Sequence, residues 1–324
     1  MSERPFRLGY NTNGFAHHRL DDALHVIAEL GYRAVAITPD ANHLHPDHTS
    51  DAQLRATRAL LERLDLAVVI ETGARYVLDP RRKQRPTLVD AEAEGRERRL
   101  EFLERCARIA VALGADTISL WSGIPAADVD RETAWRHLVA GVQQLHQRIT
   151  PLGVRIAFEP EPGMLVDSLT DWERLRDAVS FPDFGLALDV GHVPCTESIS
   201  AGDAIRKYGG ALRTVHLDDS KNGVHEHLQI GEGSLDWPDI MRALREIDFT
   251  GIASVELSRH SHAAPEAARI AFERLSAAML GSDPEGVLGS DPEGVLGSDP
   301  EGTARGLCPL GATRLSGERS AEQP

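Results

Sequence analysis

Four residues with metal-binding side chains each stand at the end of a short apolar run in the second half of the chain. They are Glu159, Asp189, His216 and Glu256, and the intervals between them are 30, 27 and 40 residues. These intervals are about the length of one strand–loop–helix–loop unit, so neighbouring parallel strands would bring the four side chains to one rim. Three carboxylates gathered beside one imidazole would repel one another unless a divalent cation held them. The sequence therefore predicts one metal site.

The donor types indicate which ion would fit. Oxygen-rich ligation with one imidazole suits Mn²⁺, Mg²⁺, Co²⁺ or Fe²⁺ better than zinc, because structural zinc sites prefer sulfur and nitrogen. Any one of these residues alone is as well explained as an ordinary polar group at a rim. Their common position at the ends of four consecutive apolar runs is what favours ligation.

Eight apolar runs alternate with amphipathic segments, and these elements must position the four residues. Strands are predicted near residues 7–10, 33–37, 66–70, 116–120, 154–158, 184–188, 212–216 and 251–256. Helices are predicted near 20–30, 51–64, 91–113, 130–149, 170–178, 201–208, 237–247 and 264–279. Continuously apolar strands are typical of a parallel sheet covered by helices. Eight such units predict an α/β fold, a single-domain (β/α)8 TIM barrel. The alternative is an open doubly wound sheet, but this chain has no G-x-G-x-x-G motif after its first predicted strand.

Short local signals support the helix boundaries. Gly114 and Gly153 each follow a helical segment and precede a strand, as C-cap glycines do. Thr170 opens a capping-box pattern, which predicts the start of the helix after the fifth strand. The helix at 91–113 mixes acidic and basic residues, Arg99 among them, and is predicted to present an ion-paired outer face.

The composition excludes several classes of protein. The chain has 324 residues and a net charge of −15, and so acidic a protein is unsuited to nucleic acid, whose phosphates bind clustered Lys and Arg. No apolar run reaches the roughly 18 residues of a membrane span, and the first residues lack an apolar signal region. Three widely spaced cysteines fit a reduced, cytoplasmic protein.

The end of the chain differs from the rest. The segment G-S-D-P-E-G-V-L at 281–288 repeats at 289–296 and begins again at residue 297. Each copy holds two glycines and one proline, which disfavour a helix and leave no apolar face to bury. We therefore expect the barrel to occupy residues 1–280, and residues 281–324 to form a disordered tail without a catalytic role.

Five motifs resemble one known family, in the order and spacing that the family shows. They are E-P-E-P-G at 159–163, D-V-G-H at 189–192, V-H-L-D-D at 215–219, I-G-E-G-S-L-D-W at 230–237 and S-V-E at 254–256. The chain is similar to the xylose-isomerase-like TIM barrels of the sugar-phosphate isomerase/epimerase superfamily, which include ketose 3-epimerases and inosose dehydratases. The resemblance implies that one divalent ion is held at the positions of Glu159, Asp189, His216 and Glu256. Barrels of this family often form dimers or tetramers, so a homo-oligomer is a further expectation.

A second group of histidines extends this resemblance. The family implies that the histidine of D-x-x-H, here His192, touches substrate or a second metal. His225 and His227 precede I-G-E-G, where the apurinic-site endonuclease branch places metal ligands, so these three histidines are candidates for a second ion. Against that branch, the third and fourth strands end near Glu71 and Trp121, where those nucleases use histidines.

The resemblance and the chemistry together predict an enzyme. We expect a metal-dependent isomerase or epimerase that converts a small sugar or polyhydroxy ketone through an enediolate, with Glu159 and Glu256 as both ligands and acid/base groups. His192, His227 and Trp121 are candidate substrate contacts, and Trp121 is equally well explained by rim packing. The alternatives are a dehydratase or lyase of a cyclitol or keto acid, and a non-catalytic sugar-binding barrel. The basic segment 81–85 is either a solvated loop or an anion clamp over the barrel mouth.

Overall fold

The fold is a closed barrel of eight parallel strands with helices between them, as the sequence predicted. The computed structural model describes residues 6–73 and 75–281. The eight barrel strands are β1 (Arg7–Asn11), β2 (Ala34–Ile37), β3 (Ala67–Glu71), β4 (Thr117–Leu120), β5 (Arg155–Phe158), β6 (Gly185–Asp189), β7 (Leu212–Leu217) and β10 (Ile252–Val255). A separate hairpin consists of β8 (Asp219–Lys221) and β9 (Val224–Leu228). The ring follows the order β1-β10-β7-β6-β5-β4-β3-β2, so the last barrel strand closes onto the first.

Helices follow the strands along the chain. The α-helices in the described residues are α1 (Leu20–Glu29), α2 (Asp51–Arg63), α3 (Ala93–Leu113), α4 (Arg131–Ile149), α5 (Leu169–Val179), α6 (Val193–Thr196), α7 (Ala201–Tyr208), α8 (Trp237–Glu246) and α9 (Ala264–Met279). Short 3-10 turns lie at Thr12–Phe15, Thr150–Leu152, Gly209–Ala211 and Ser258–Ala263. The short helix α6 and these turns had no counterpart in the predicted elements.

Side-chain caps and left-handed residues fix the helix ends. Ser50 begins α2, because its Oγ accepts the backbone N–H of Gln53 (3.3 Å) while Gln53 Oε1 accepts the N–H of Ser50 (2.8 Å). Gly114 ends α3 with φ of +86°, and Gly153 ends the turn after α4 with φ of +75°. Glycine adopts such angles without steric cost, which confirms the predicted C-caps.

The N-cap predicted for α5 was wrong by two residues. The helix begins at Leu169, and Ser168 caps it by accepting the backbone N–H of Asp171 on its Oγ (3.1 Å). Thr170 therefore lies inside the first turn. Serine is at least as good an N-cap as threonine, so the neighbouring Ser168 takes the role that the capping-box pattern assigned to Thr170.

The core lies inside the barrel and between the barrel and its helices. All residues of β2 and β6 are buried, which explains why their sequences are apolar without alternation. Outside the barrel, Tyr32 packs edge-on against Tyr10 and donates its hydroxyl to the Ala268 carbonyl of α9 (2.8 Å). Burying one such large side chain stabilises the fold by roughly 1.5–3 kcal/mol.

The hairpin β8–β9 was not predicted. Asn222 and Gly223 form its two-residue turn with φ of 58° and 69°, the left-handed angles that favour Asn-Gly in tight hairpins. The hairpin begins two residues after β7 and carries His225 and His227. It therefore adds two imidazoles to the end of the barrel where β7 finishes.

Two further predictions concerned membrane spans and the repeat tail. In the described part of the chain, every helix is too short or too polar to cross a membrane. The predicted repeat tail, 281–324, lies outside the described residues apart from Gly281.

Candidate active site

The sheet places the four predicted ligands at one end of the barrel. Glu159 directly follows β5, and its backbone N–H still donates to a β4 carbonyl (2.9 Å). Glu256 follows β10, and its N–H donates to a β7 carbonyl at the same distance. Asp189 and His216 are paired across β6 and β7. Because parallel strands finish at the same edge, all four side chains reach the carboxyl-terminal mouth of the barrel.

The four side chains converge there. One candidate ligand atom of each residue lies within 4.8 Å of those of the other three. His216 Nδ1 lies 3.1 Å from Glu159 Oε1 and 2.9 Å from Glu256 Oε2. Asp189 Oδ1 accepts the backbone N–H of Gly191 (2.7 Å), whereas its buried Oδ2 has no hydrogen-bond partner among the described residues. The structure therefore brings the complete predicted set together.

This set fits a divalent cation. His216 Nδ1 holds at most one proton, yet it faces an oxygen of Glu159 and an oxygen of Glu256. Asp189 Oδ2 is left without a partner, and an unsatisfied buried polar group costs about 1–3 kcal/mol. A cation among these atoms would satisfy all of them. The donor set is three carboxylates and one imidazole, all of them groups that ligate divalent metal ions.

The pKa values show that negative charge at this site is not balanced. Burial raises the pKa of Asp189 well above its usual value, and neighbouring Asp218 raises it further. Burial alone would raise the pKa of Glu256, but protonated His216 lowers it far below its usual value. Burial alone would lower the pKa of His216, but Glu159 and Glu256 together raise it well above its usual value. A bound cation would replace the proton that His216 otherwise holds.

Three histidines form a second cluster beside the first. His225 Nε2 lies 3.0 Å from His192 Nε2 and 2.8 Å from His227 Nε2. His192 Nε2 also lies 3.5 Å from Asp189 Oδ2, so the two clusters adjoin. Glu161, which directly follows Pro160 after β5, has oxygens 4.0 Å from His192 Nε2 and 3.9 Å from His225 Nε2. Glu161 thus faces the histidines.

Neighbouring acceptors orient two of these rings. His192 Nδ1 lies 3.2 Å from the Pro160 carbonyl, and His227 Nδ1 contacts the Asp218 carboxylate. A proton on each Nδ1 leaves the two Nε2 lone pairs directed toward His225, which is the arrangement of metal-binding histidines. Burial lowers the pKa of His225 to about 4, with His227 adding to the effect, and burial also lowers the pKa of His192. Both rings are therefore neutral near pH 7, as ligation requires.

A polar cleft of about 280 Å³ opens above these clusters. Its walls include Glu159, Glu256, His227 and Trp121 among the predicted site residues. His192 is 4% exposed and contacts His225, which lines the cleft in its place. Of the predicted substrate contacts, the structure therefore brings Trp121 and His227 to the cleft and places His192 behind the wall.

Glu71 is a site residue that was not predicted from the sequence. Glu71 ends β3, is buried, and lines the cleft. Thr38 Oγ1 lies 2.6 Å from Glu71 Oε2 and 2.8 Å from Asn11 Oδ1. Asn11 Oδ1 also accepts the Asn13 N–H (3.0 Å), so Asn11 presents an acceptor to Thr38. The Thr38 hydroxyl has one proton, and it can donate that proton to Asn11 and stay hydrogen-bonded to Glu71 only if Glu71 is itself protonated. Burial, with Glu256 adding, raises the pKa of Glu71 to about 7.

Arg99 is an exception to the ion-paired outer face predicted for α3. Its side chain is 1% exposed, donates to the Thr72 carbonyl (2.8 Å), and lies 4.5 Å from the centre of the Trp121 ring. Arg99 supports the cleft wall from behind, while Glu104 and Glu97 of the same helix do form surface ion pairs. A charge pattern alone did not distinguish Arg99, because a buried arginine and an exposed one look the same in sequence.

These observations define a TIM barrel with a candidate metal site at its carboxyl-terminal mouth. The chain belongs to the xylose isomerase-like TIM barrels, since the model of that family matches residues 24–278. The motifs that indicated this resemblance carry the four converging side chains.

Known relatives include a sugar epimerase. A D-psicose 3-epimerase of Agrobacterium fabrum is 25% identical over 239 residues, which are 71% of this chain and 76% of that protein. Two uncharacterized proteins of Methanocaldococcus jannaschii are 27% and 24% identical, and the matches span 37% and 62% of their own lengths. The chain thus spans less than two thirds of these two relatives.

Solved structures share the fold. A D-psicose 3-epimerase determined in the presence of D-fructose has a TM-score of 0.68 and 19% identity, and the match covers 86% of this chain and 100% of that one. An IOLI protein with a bound zinc atom has a TM-score of 0.67 and 17% identity, with 85% and 98% covered. At these identities the likeness concerns the fold alone.

Proposed function

We propose that the protein is a metal-dependent isomerase or epimerase of a small sugar or sugar-like polyhydroxy ketone. The observation that carries the proposal is the convergence of Glu159, Asp189, His216 and Glu256 within 4.8 Å at a cleft that Glu159 and Glu256 also line. A relative that is a D-psicose 3-epimerase supports the same class of reaction. The four residues would hold one divalent ion, with Mn²⁺, Mg²⁺, Co²⁺ or Fe²⁺ preferred.

The chemistry is proton transfer next to a carbonyl group. A bound divalent cation would supply polarisation of the substrate carbonyl and stabilisation of negative charge on its oxygen. Glu159 and Glu256 approach His216 Nδ1 from β5 and β10, so they lie on two sides of one point. One carboxylate removes the proton from the carbon next to the carbonyl, which gives an enediolate, and the other returns a proton. Return to the opposite face inverts that carbon.

The protonation states of the chain suit these roles. Glu256 accepts a hydrogen bond from Asn13 Nδ2 (2.8 Å) and faces His216, which together keep it ionised, the form that can accept a proton. Trp121 and His227, which line the same cleft, would contact the sugar. His192 would act with His225 and His227, either as the ligands of a second ion or by positioning the residues that touch substrate.

A dehydratase is the second candidate, and Glu71 is the observation that favours it. A carboxyl that keeps its proton near neutral pH is suited to protonate a departing hydroxyl group. Removal of the proton next to the carbonyl, followed by loss of a neighbouring hydroxyl as water, would then replace epimerisation. The substrate in that case would be a cyclitol or keto acid. A non-catalytic sugar-binding barrel is the third candidate, and the presence of both proposed acid/base residues, Glu159 and Glu256, argues against it.

Solvent exchange distinguishes these candidates. The metal-loaded protein is incubated in D₂O with a panel of ketoses, cyclitol ketones and keto acids. An epimerase incorporates deuterium at the carbon next to the carbonyl and yields a product of otherwise unchanged mass, whereas a dehydratase yields a product lighter by one water. Absence of both exchange and water loss across the panel, with binding still measurable, would leave the sugar-binding barrel.

Metal content tests the proposed site separately. The purified protein is stripped with a chelator and titrated with single divalent ions, and the number and affinity of bound ions are measured. We expect one ion at the carboxylate-rich site, and a second only if the three histidines also bind. Failure of every ion to bind would remove the proposed mechanism.

A further inference from the structure

The cleft is acidic at its base and basic at its mouth. Its lining includes four acids, Glu71, Glu159, Glu161 and Glu256, and Glu71 and Glu159 are buried. It also includes three cations, Arg75, Lys83 and Arg259, and Lys83 and Arg259 are exposed. In a chain of net charge −15, three cations along one cleft are an exception that requires an explanation. A neutral sugar gains little from them, because hydroxyl groups are bound as well by uncharged side chains.

The loop that carries Lys83 is fixed by its neighbours. The backbone N–H of Gln84 donates to the Arg75 carbonyl (2.5 Å) and closes the loop. Arg82 pairs with Asp79 (2.7 Å), and Arg85 pairs with Asp90 (2.6 Å). Lys83 stands between these two paired arginines and forms no ion pair with any described residue. Of the basic segment 81–85, it is Lys83 and Gln84 that line the cleft.

Arg259 approaches from the other side of the mouth. It lies in the 3-10 turn after β10, and its Nη2 is 3.5 Å from the His225 carbonyl. Like Lys83, it has no acidic partner within the described part of the chain. Two cations without acidic partners among the described residues therefore line the same cleft as His225.

Arg75 is different because it is already paired. Its Nε lies 3.0 Å from Asp40 Oδ2, and its Nη2 donates to the Asn13 carbonyl (3.3 Å). Asn13 in turn donates to Glu256 Oε1 (2.8 Å). Arg75 thus connects the mouth to the metal-site carboxylate, while Lys83 and Arg259 remain available to a ligand.

We propose that the substrate carries an anionic group, a phosphate ester or a carboxylate, that binds between Lys83 and Arg259 while its polyhydroxy ketone end reaches Glu159 and Glu256. The assignment of the ketone end rests on the proposed function; the anion site does not. An anion of either kind accepts charge-assisted hydrogen bonds from lysine and arginine. The cations would also offset the repulsion that this acidic protein exerts on an approaching anion.

Equilibrium binding to the metal-loaded full chain tests the proposal. Three ligands share a six-carbon skeleton: D-fructose is neutral, D-fructose 6-phosphate carries a phosphate ester, and 5-keto-D-gluconate carries a carboxylate. We expect at least one of the anionic ligands to bind about tenfold more tightly than D-fructose, since two partly exposed charged contacts contribute. Salt should weaken that preference, because exposed charges are screened. The tighter of the two anions identifies the class.

A double variant and a matched control locate the anion site. Lys83→Gln with Arg259→Gln should reduce the affinity for the anionic ligand to that for D-fructose. Arg55→Gln with Arg81→Gln removes the same charge from exposed residues that do not line the cleft, and it should leave all three affinities unchanged. Thermal unfolding of each variant verifies that it is folded.

The outcomes separate this proposal from the proposed reaction. Equal binding of the three ligands, or an anion preference that survives in the Lys83→Gln/Arg259→Gln variant, overturns the anion site. Deuterium exchange is scored on the same samples. If the anion preference depends on Lys83 and Arg259 but no ligand exchanges deuterium, the anion site is kept and the proposed isomerase reaction is rejected. If D-fructose exchanges deuterium and neither anionic ligand does, the proposed reaction is kept and the anion site is rejected.

Discussion

At the level of single residues, Glu256 connects metal binding to proton transfer in the proposed mechanism. We predict that Glu256→Gln abolishes turnover and weakens metal binding by roughly a hundredfold or more, because a direct anionic ligand disappears while the shape is kept, and the loss of an outer-shell partner alone costs about ten- to a hundredfold. Metal affinity from titration and product formation are measured together. Glu226→Gln is the control, since Glu226 is an exposed acid of the hairpin strand β9. Near wild-type turnover in Glu256→Gln would remove this residue from the mechanism.

Glu71 provides a prediction about pH. Its pKa rises from 4.5 to about 7 in the folded protein, so between these values the folded state binds more protons than the unfolded state. The contribution of Glu71 to stability therefore falls as pH rises through that window. In chelator-treated protein, Glu71→Gln should gain stability relative to the wild type between about pH 5 and pH 7.5.

Denaturant unfolding at both pH values measures this difference. Glu94→Gln, a change at an exposed acid, should follow the wild type at both. A Glu71→Gln variant whose stability keeps the same pH dependence as the wild type would contradict the raised pKa of Glu71, which follows from its burial and from Glu256.

At the level of elements, the turn after β6 sets the spacing of two carboxylates. A Cβ added at Gly191 would lie 1.9 Å from Asp218 Oδ1 and 3.2 Å from Asp189 Oδ1. We predict that Gly191→Ala weakens metal binding and leaves the melting temperature close to that of the wild type, because Asp218 must move while the barrel stays folded. Gly210→Ala is the control, since its Cβ would meet nothing within 4 Å. Equal metal binding in the two variants would show that the turn tolerates the shift.

The barrel was predicted from the sequence, whereas the hairpin β8–β9 was not. Eight apolar runs of similar length give a strong signal, because parallel strands buried on both faces contain little else. The strands of β8–β9 are short and polar, with His225 and His227 in the second, and periodicity has nothing to detect there. The Asn222-Gly223 pair was the available signal, since it is the preferred two-residue hairpin turn.

The same contrast holds within the site. The four predicted ligands follow apolar strands in register, so their convergence was predictable from spacing alone. Glu71 also ends a strand, but nothing in its sequence environment marks the Thr38 hydroxyl, which comes from a neighbouring strand and is close only in the folded chain. Arg99 faces inward from a helix of otherwise surface charges, and only packing reveals it.

At the level of the whole molecule, the boundary of the barrel stays a prediction. We propose that the barrel is complete by Leu280, which is the C-cap of α9 and directly precedes the glycine–proline repeat. Truncation after Leu280 should leave metal affinity, turnover and the melting temperature unchanged, since all site residues precede it. A loss of folding in the shortened chain would show that the repeat packs on the barrel. The cytoplasmic location and the homo-oligomer likewise remain predictions.

The adjoining clusters of imidazoles and carboxylates have a practical consequence for handling this protein. Late first-row ions such as Ni²⁺, Cu²⁺ and Zn²⁺ bind nitrogen ligands more strongly than Mn²⁺ or Mg²⁺ does. His192, His225 and His227 would therefore capture nickel from an affinity column or zinc from a growth medium. The ion found in a fresh preparation would then report the history of the sample, and activity would depend on exchanging it for the ion that the cell supplies.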